Sequence, residues 1–244
     1  MLRLNRPEVR NALSRTMIDA IGRAVAAAAS DPEVRVVVLT GTGDRAFCVG
    51  EDLRAFASGD DASQEERKRS TAAYVRVLDG SVDIPIVGAV NGSALAGGLE
   101  LALACDVVVA SSEARFGLPE VKRGLIAGSA VMHLGRRVPL GVALELCLTG
   151  DTIDAARAYE LGLVNAVVAP DAVFDTALAI AERIAGNGPL AVAATKELLR
   201  ASASDPGRAA RRLPELAAAV FASEDAKEGA RAFIERRAPR WQGR

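Results

Sequence analysis

Residues 84–106 restrict the fold more than any other stretch. They read Ile-Pro-Ile-Val-Gly-Ala-Val-Asn-Gly-Ser-Ala-Leu-Ala-Gly-Gly-Leu-Glu-Leu-Ala-Leu-Ala-Cys-Asp. An apolar run without alternation is the pattern of a strand buried on both faces, which a helix-covered parallel sheet provides. The run breaks at Asn91-Gly92 and resumes as a helix that starts through Gly97-Gly98. A helix N-terminus leaves N–H groups unpaired and carries partial positive charge, so it can hold an anion or an oxyanion. Glycine there lets a substrate come close to the main chain. Glu100 sets a carboxylate about one turn inside that end. A corner built only for packing would use the same glycines, so residues further along the chain decide between the two readings.

Composition agrees with an α/β domain. Half of the 244 residues are hydrophobic, enough for a substantial core without disulfides or metals. Only 4% are aromatic, and the net charge of −1 argues against a dominant nucleic-acid or polybasic membrane surface. The three cysteines, Cys48, Cys105 and Cys147, sit in apolar surroundings, and an odd, unpaired set is expected to be reduced, as in the cytoplasm. One histidine, His133, leaves little for a zinc site or a Ser-His-Asp triad, and it reads as a helix-surface or core residue. Residues 1–13 carry charges every few positions, unlike a secretory leader, and the uncharged run 84–99 contains Pro85 and four glycines, unlike a membrane span.

Taken in order, Leu2-Arg3-Leu4 looks like the tail of a strand. Ser14 is a plausible cap for a helix to Ala29, with Met17, Ile18, Ile21 and Val25 on one face. Strands are expected at Val34–Leu39, Ile86–Val90, Asp106–Ala110 and Val164–Val168, alternating with helices as stacked ββα or βα units. Ala46–Leu53 gives a further apolar run, then a glycine and a helix start where Asp52 favours the dipole. Residues 59–70 are polar and charged, read as a solvated loop and helix face or as a lid that shapes a ligand tunnel. Pro119 suits a first helical position. Residues 152–161 read as helix, and beyond Asp171 four helices are expected, at Phe174–Ile184, Pro189–Arg200, Pro214–Phe221 and Glu224–Arg236. That divides the chain into a core over 1–169 and a helical region over 170–244.

Several blocks together resemble the crotonase (enoyl-CoA hydratase/isomerase) superfamily. They are Asn5–Leu13, Ala46–Leu53, Ala89–Asp106, Phe116–Glu120, Thr149–Asn165 and the ending Phe233–Arg237 with Trp241-Gln242-Gly243, which run in family order over nearly the whole chain. The resemblance implies a spiral of ββα units with a C-terminal helical oligomerisation region, assembled as trimers or dimers of trimers. It implies an acyl-CoA thioester substrate, with coenzyme A part of the substrate and no separate cofactor or metal.

By the same resemblance, the thioester oxygen would lie between the main-chain N–H groups of Glu51 and Gly97. Glu120 would deliver a proton to C2, and Glu100 would help activate the water that adds to C3. Arg10, Ala12, Gly50, Asp52, Leu53, Gly98, Pro119 and Gly128 would line the substrate, with Arg10 facing a phosphate. Lys227 or Arg236 would complete the nucleotide site. Both glutamates together favour a hydratase. The alternatives are a double-bond isomerase using Glu120 alone and a non-catalytic acyl-CoA-binding protein. Three departures stand out: the charged Glu51 beside an oxyanion position, the short strand ahead of Asn5, and Ile126–Ala130 in place of the more common Pro-Gly corner.

Overall fold

The computed structural model describes residues 1–54 and 64–244, the side chains of 64–70 excepted. The expectations for residues 59–63, and for the side chains up to Ser70, lie outside the described residues.

The elements alternate as the buried runs require. β1 (Leu2–Leu4) leads to α1 (Arg15–Ser30), then β2 (Val37–Gly41), β3 (Ala46–Cys48) and α2 (Gln64–Leu78). The next turn of chain is β4 (Ile86–Val90), β5 (Ser93–Leu95) and α3 (Gly97–Ala104). A third is β6 (Val107–Ser111), β7 (Arg115–Gly117), a 3-10 turn at Pro119–Arg123 and α4 (Ala130–Arg137). α5 (Leu140–Thr149), β8 (Thr152–Asp154), α6 (Ala155–Glu160) and β9 (Ala166–Val168) close the core. α7 (Val173–Ala185), α8 (Pro189–Ser204), α9 (Pro206–Ala222) and α10 (Glu224–Glu235) follow.

Each ββα turn gives its first strand to one sheet and its second to another. The larger sheet has the order β1-β2-β4-β6-β9, and its pairs are all parallel. The smaller has the order β3-β5-β7-β8, with only β7 and β8 antiparallel. Because a parallel neighbour is reached only by a crossover, the chain winds as a spiral with helices outside. β2 and β4 are buried at every position, and the main core joins them to α1, α2 and α3. α7 packs Val173, Ala177 and Ala181 on the opposite face of the larger sheet, against Val38, Val87 and Val109.

The structure moves several expected boundaries. β2 starts three residues late and takes in Thr40-Gly41, because β1 pairs there: Leu2 faces Leu39 and Leu4 faces Gly41. Residues 152–154 are a strand, since Thr152 and Ile153 pair with Gly117 and Phe116, and only then does Asp154 cap α6 by accepting from Arg157 N (2.8 Å). Pro214 lies inside α9 rather than at its start, which belongs to Pro206 with Asp205 accepting from Arg208 N. The cap at Ser14 stands as expected, accepting from Met17 N (3.2 Å), and Ser223 caps α10 by accepting from Ala226 N (3.0 Å). No helix among the described residues is long and apolar enough to cross a membrane.

Candidate active site

The site forms where the start of α3 meets the loop after β3. Gly50 has φ +87°, and a Cβ there would lie 2.6 Å from Ala96 Cβ and 2.9 Å from Gly97 N, so only glycine allows the approach. One residue on, a parallel bridge ties the loop to the chain ahead of α1: Leu13 N donates to Gly50 O (2.8 Å) and Asp52 N to Leu13 O (3.0 Å). These bonds use the groups on either side of Glu51, so the Glu51 N–H points away from Leu13. A Cβ on Gly97 would lie 3.9 Å from that Glu51 N. In the first turn of α3, Ala96 O accepts from Leu99 N (2.8 Å) and Glu100 N (3.1 Å). Among the described residues the N–H groups of Glu51 and Gly97 meet no acceptor. The Glu51 side chain is exposed to solvent.

Ala96 brings in a feature the sequence did not signal. Its φ of 52° and ψ of −129° fall in a region that only glycine occupies freely, and such a residue costs on the order of 1–3 kcal/mol. The strain is held by Ala96 N donating to Gly117 O (2.9 Å) and by the two bonds to its own carbonyl. Gly98 is needed for packing: a Cβ would meet the Cys48 carbonyl oxygen at 2.1 Å.

The two carboxylates reach the site from different elements. Glu100, in the first turn of α3, accepts through Oε1 from Ala130 N at the start of α4 (3.0 Å). Gly128 closes over it, a Cβ there falling 3.0 Å from the same oxygen. Glu120 sits in the 3-10 turn after Pro119, and its Oε2 is buried without a hydrogen-bond partner among the described residues. Burial pushes the Glu120 carboxyl up from its ordinary range, and the nearby Glu100 charge adds to this against the pull of Arg123. A carboxyl raised by burial, within electrostatic range of one tied to a backbone N–H, is an arrangement suited to moving protons.

The rest of the expected substrate positions are distributed around this centre. Asp52 is ion-paired with Arg6 (3.1 Å), whose other amino group donates to Ala12 O (2.7 Å). Asn11 is wholly buried, accepting from Arg6 N (3.0 Å) and donating to Thr42 O (3.0 Å) and Ala46 O (2.9 Å). This network fixes the Asn5–Leu13 segment, and Arg10 stands out from it, exposed and left-handed at φ 56°. Leu53 is also exposed. Lys227 pairs with Glu224 (2.7 Å), and Arg236 caps α10 in a left-handed conformation. Sequence reasoning passed over Ala130, whose N–H orients Glu100, and Tyr74, a buried phenol with no partner for its oxygen among the described residues. Burial raises the Tyr74 hydroxyl, and the charges of Cys48, Glu100 and Glu51 push the same way. Tyr74 lies in the charge-rich helix Gln64–Leu78, where no pattern in the sequence singled it out.

Two neighbouring amides that meet no acceptor among the described residues, two carboxylates and a spiral of ββα turns define a class. The enoyl-CoA hydratase/isomerase family model matches residues 1–244, and the chain belongs to that family. Among its relatives, the (E)-benzylidenesuccinyl-CoA hydratase of Thauera aromatica is 40% identical over 249 residues, covering 98% of this chain and 94% of that protein. The carnitinyl-CoA dehydratase of Proteus mirabilis strain HI4320 is 37% identical over 247 residues, with 99% and 94% covered. The crystal structure of an enoyl-CoA hydratase from Mycobacterium tuberculosis H37Rv superposes with a TM-score of 0.89 at 43% identity, again with 99% and 94% covered.

Proposed function

We propose that this chain hydrates a 2-enoyl-CoA thioester, adding water across C2=C3 to give a 3-hydroxyacyl-CoA, and catalyses the reverse dehydration. Membership in a family whose relatives here are named hydratases and dehydratases supports this reading. The observation that carries it is the buried Glu120 Oε2, without a hydrogen-bond partner among the described residues and within electrostatic range of Glu100, which is itself oriented by Ala130 N.

In the proposed reaction the thioester oxygen accepts from the Glu51 and Gly97 N–H groups. They stabilise the enolate that forms as water adds to C3, and one such donor is typically worth about 10²–10³ in rate. Glu100 takes the proton from water and Glu120 gives one to C2, each step worth about 10²–10⁴. Main-chain donors and carboxylates carry this chemistry, and coenzyme A enters as part of the substrate, with Arg10 against its phosphates.

The test is the loss of conjugated enoyl-thioester absorbance when purified protein meets crotonyl-CoA and longer 2-enoyl-CoAs. Glu100→Gln and Glu120→Gln are each expected to lose at least about 10²-fold in kcat while still binding the CoA ester. Retained hydration in both variants would sink the assignment. Hydration lost in Glu120→Gln alone, with double-bond migration intact in Glu100→Gln, would transfer it to the isomerase.

A further inference from the structure

At the opposite end of α3 from Gly97, a pocket of about 650 Å³ opens between α4, α8 and the last turn of α7. None of the candidate catalytic residues lines it. Its size is that of a small-molecule site, about 300–1,000 Å³. Its charge is unbalanced: Arg136, Arg137, Lys196 and Arg200 face Asp79 and Asp106, four cations against two anions among the described lining residues.

The two acids do not neutralise the four bases. Asp106 is fully committed, bound by Lys196 (2.7 Å), by Arg200 (2.7 Å) and by Ile86 N (2.8 Å). Arg137 gives one amino group to Leu103 O (2.7 Å), a carbonyl that takes up no negative charge. Arg136 has no ion pair or hydrogen bond among the described residues. Burial lowers His133, as do Arg137, Arg200 and Arg136, so it stands neutral beside them. Facing this basic rim is an apolar wall that includes Ile184, Val192 and Leu199, the last 67% exposed.

We propose that this pocket binds a medium-chain free carboxylate. The head group lies against Arg136 and Arg137, and the hydrocarbon chain lies along Ile184, Val192 and Leu199. Charge complementarity selects an anion, since a guanidinium pairs planar with a carboxylate and an ammonium head would be repelled. The apolar wall selects an amphipathic anion over an inorganic one.

The protein carries its own reporter. Trp241, the single tryptophan, donates Nε1 to Gly186 O (2.7 Å), and its ring lies 3.6 Å from where a Cβ of the pocket residue Gly188 would sit. Titration of the full-length protein with sodium octanoate is expected to change Trp241 fluorescence saturably, while octylammonium and acetate leave it unchanged at the same concentrations. Arg136→Glu and Leu199→Glu, both exposed positions, are expected to weaken octanoate binding about tenfold or more, roughly the effect of losing one charged contact. Circular dichroism checks that each variant folds. A linear response, an equal response to octylammonium, or unchanged affinity in both variants overturns the site. So does an absence of binding because a second copy covers the pocket. Should a variant fail to fold, the octanoate-over-octylammonium preference of the unaltered protein decides the matter alone.

Discussion

Gly128→Ala isolates the positioning of Glu100 from its chemistry. The new methyl would lie 3.0 Å from Glu100 Oε1, against about 3.4 Å for ordinary contact, so the carboxylate must retreat by about 0.4 Å. Misplacement of a reacting group by 1 Å costs about 10²-fold, so 0.4 Å scales to roughly sixfold in rate, or about 1 kcal/mol of activation free energy. Gly128 has no positive φ, and alanine there adds no backbone strain. The expected result is a roughly sixfold lower kcat for crotonyl-CoA hydration with KM within about twofold, and unaltered circular dichroism. Gly135→Ala in α4 is the control, since nothing lies within 4 Å of its added methyl. That variant should keep full activity and gain about 0.5–1 kcal/mol of stability from helix propensity. Parent-like kcat in Gly128→Ala, or an equal fall in both variants, would refute the reasoning that Glu100 is held at its working position by this corner.

Further outcomes follow from the same geometry. The proposed hydration needs Glu120 protonated, so kcat/KM should fall at high pH with a limb above the usual carboxylate range. Dehydration needs it ionised, so that limb should reverse, which a pH profile in both directions reads. A carboxyl raised in the folded state burdens stability above its folded pKa, and the burden disappears as pH falls toward the ordinary 4.5. Glu120→Gln should therefore melt higher than the parent at about pH 8 and level with it near 4.5, as differential scanning calorimetry would show. Asp106→Asn leaves Lys196 and Arg200 without their shared anion and should cost about 3 kcal/mol in urea unfolding, in line with breaking a largely buried pair. Ala96→Gly relieves the left-handed strain and should raise stability by about 1 kcal/mol after glycine's own entropic cost, a gain that chemical denaturation would detect.

The sequence reading reached the winding of the chain because buried β-branched runs alternate with amphipathic helices at Val37–Gly41, Ile86–Val90 and Val107–Ser111. It did not resolve the second sheet. Strands as short as Ala46–Cys48, Ser93–Leu95 and Arg115–Gly117 carry too few residues for any period to show, and their partners lie far off in sequence. Thr152–Asp154 looked helical because it runs straight into a helix, and only pairing with β7 makes it a strand. Pro214 suggested a helix start, but Pro206 with the Asp205 cap begins α9 earlier and the packing of α9 on α8 carries the helix past it. At the site, Glu100, Glu120 and the glycines were legible from side-chain type and family order. Ala96 and Ala130 were not, because they act through backbone angle and backbone N–H, which any residue letter can hide. Arg6, which holds Asp52, was legible only as part of a block.

The carbonyl end of α3 has a further consequence. Ala104 O accepts from Arg200, a residue 96 positions later, and Asp106 is paired with Arg200 and Lys196 from the same distant helix. The helix that presents Gly97 and Glu100 is therefore held at its far end by Arg137 of the core and gains the Ala104 and Asp106 contacts only once α8 has been made and has docked. On the ribosome, residues 1–169 emerge before Lys196 and Arg200. The contacts at Ala104 and Asp106 form only when the chain emerging after them arrives, so a product broken off before Lys196 would hold the candidate catalytic residues without that part of their support.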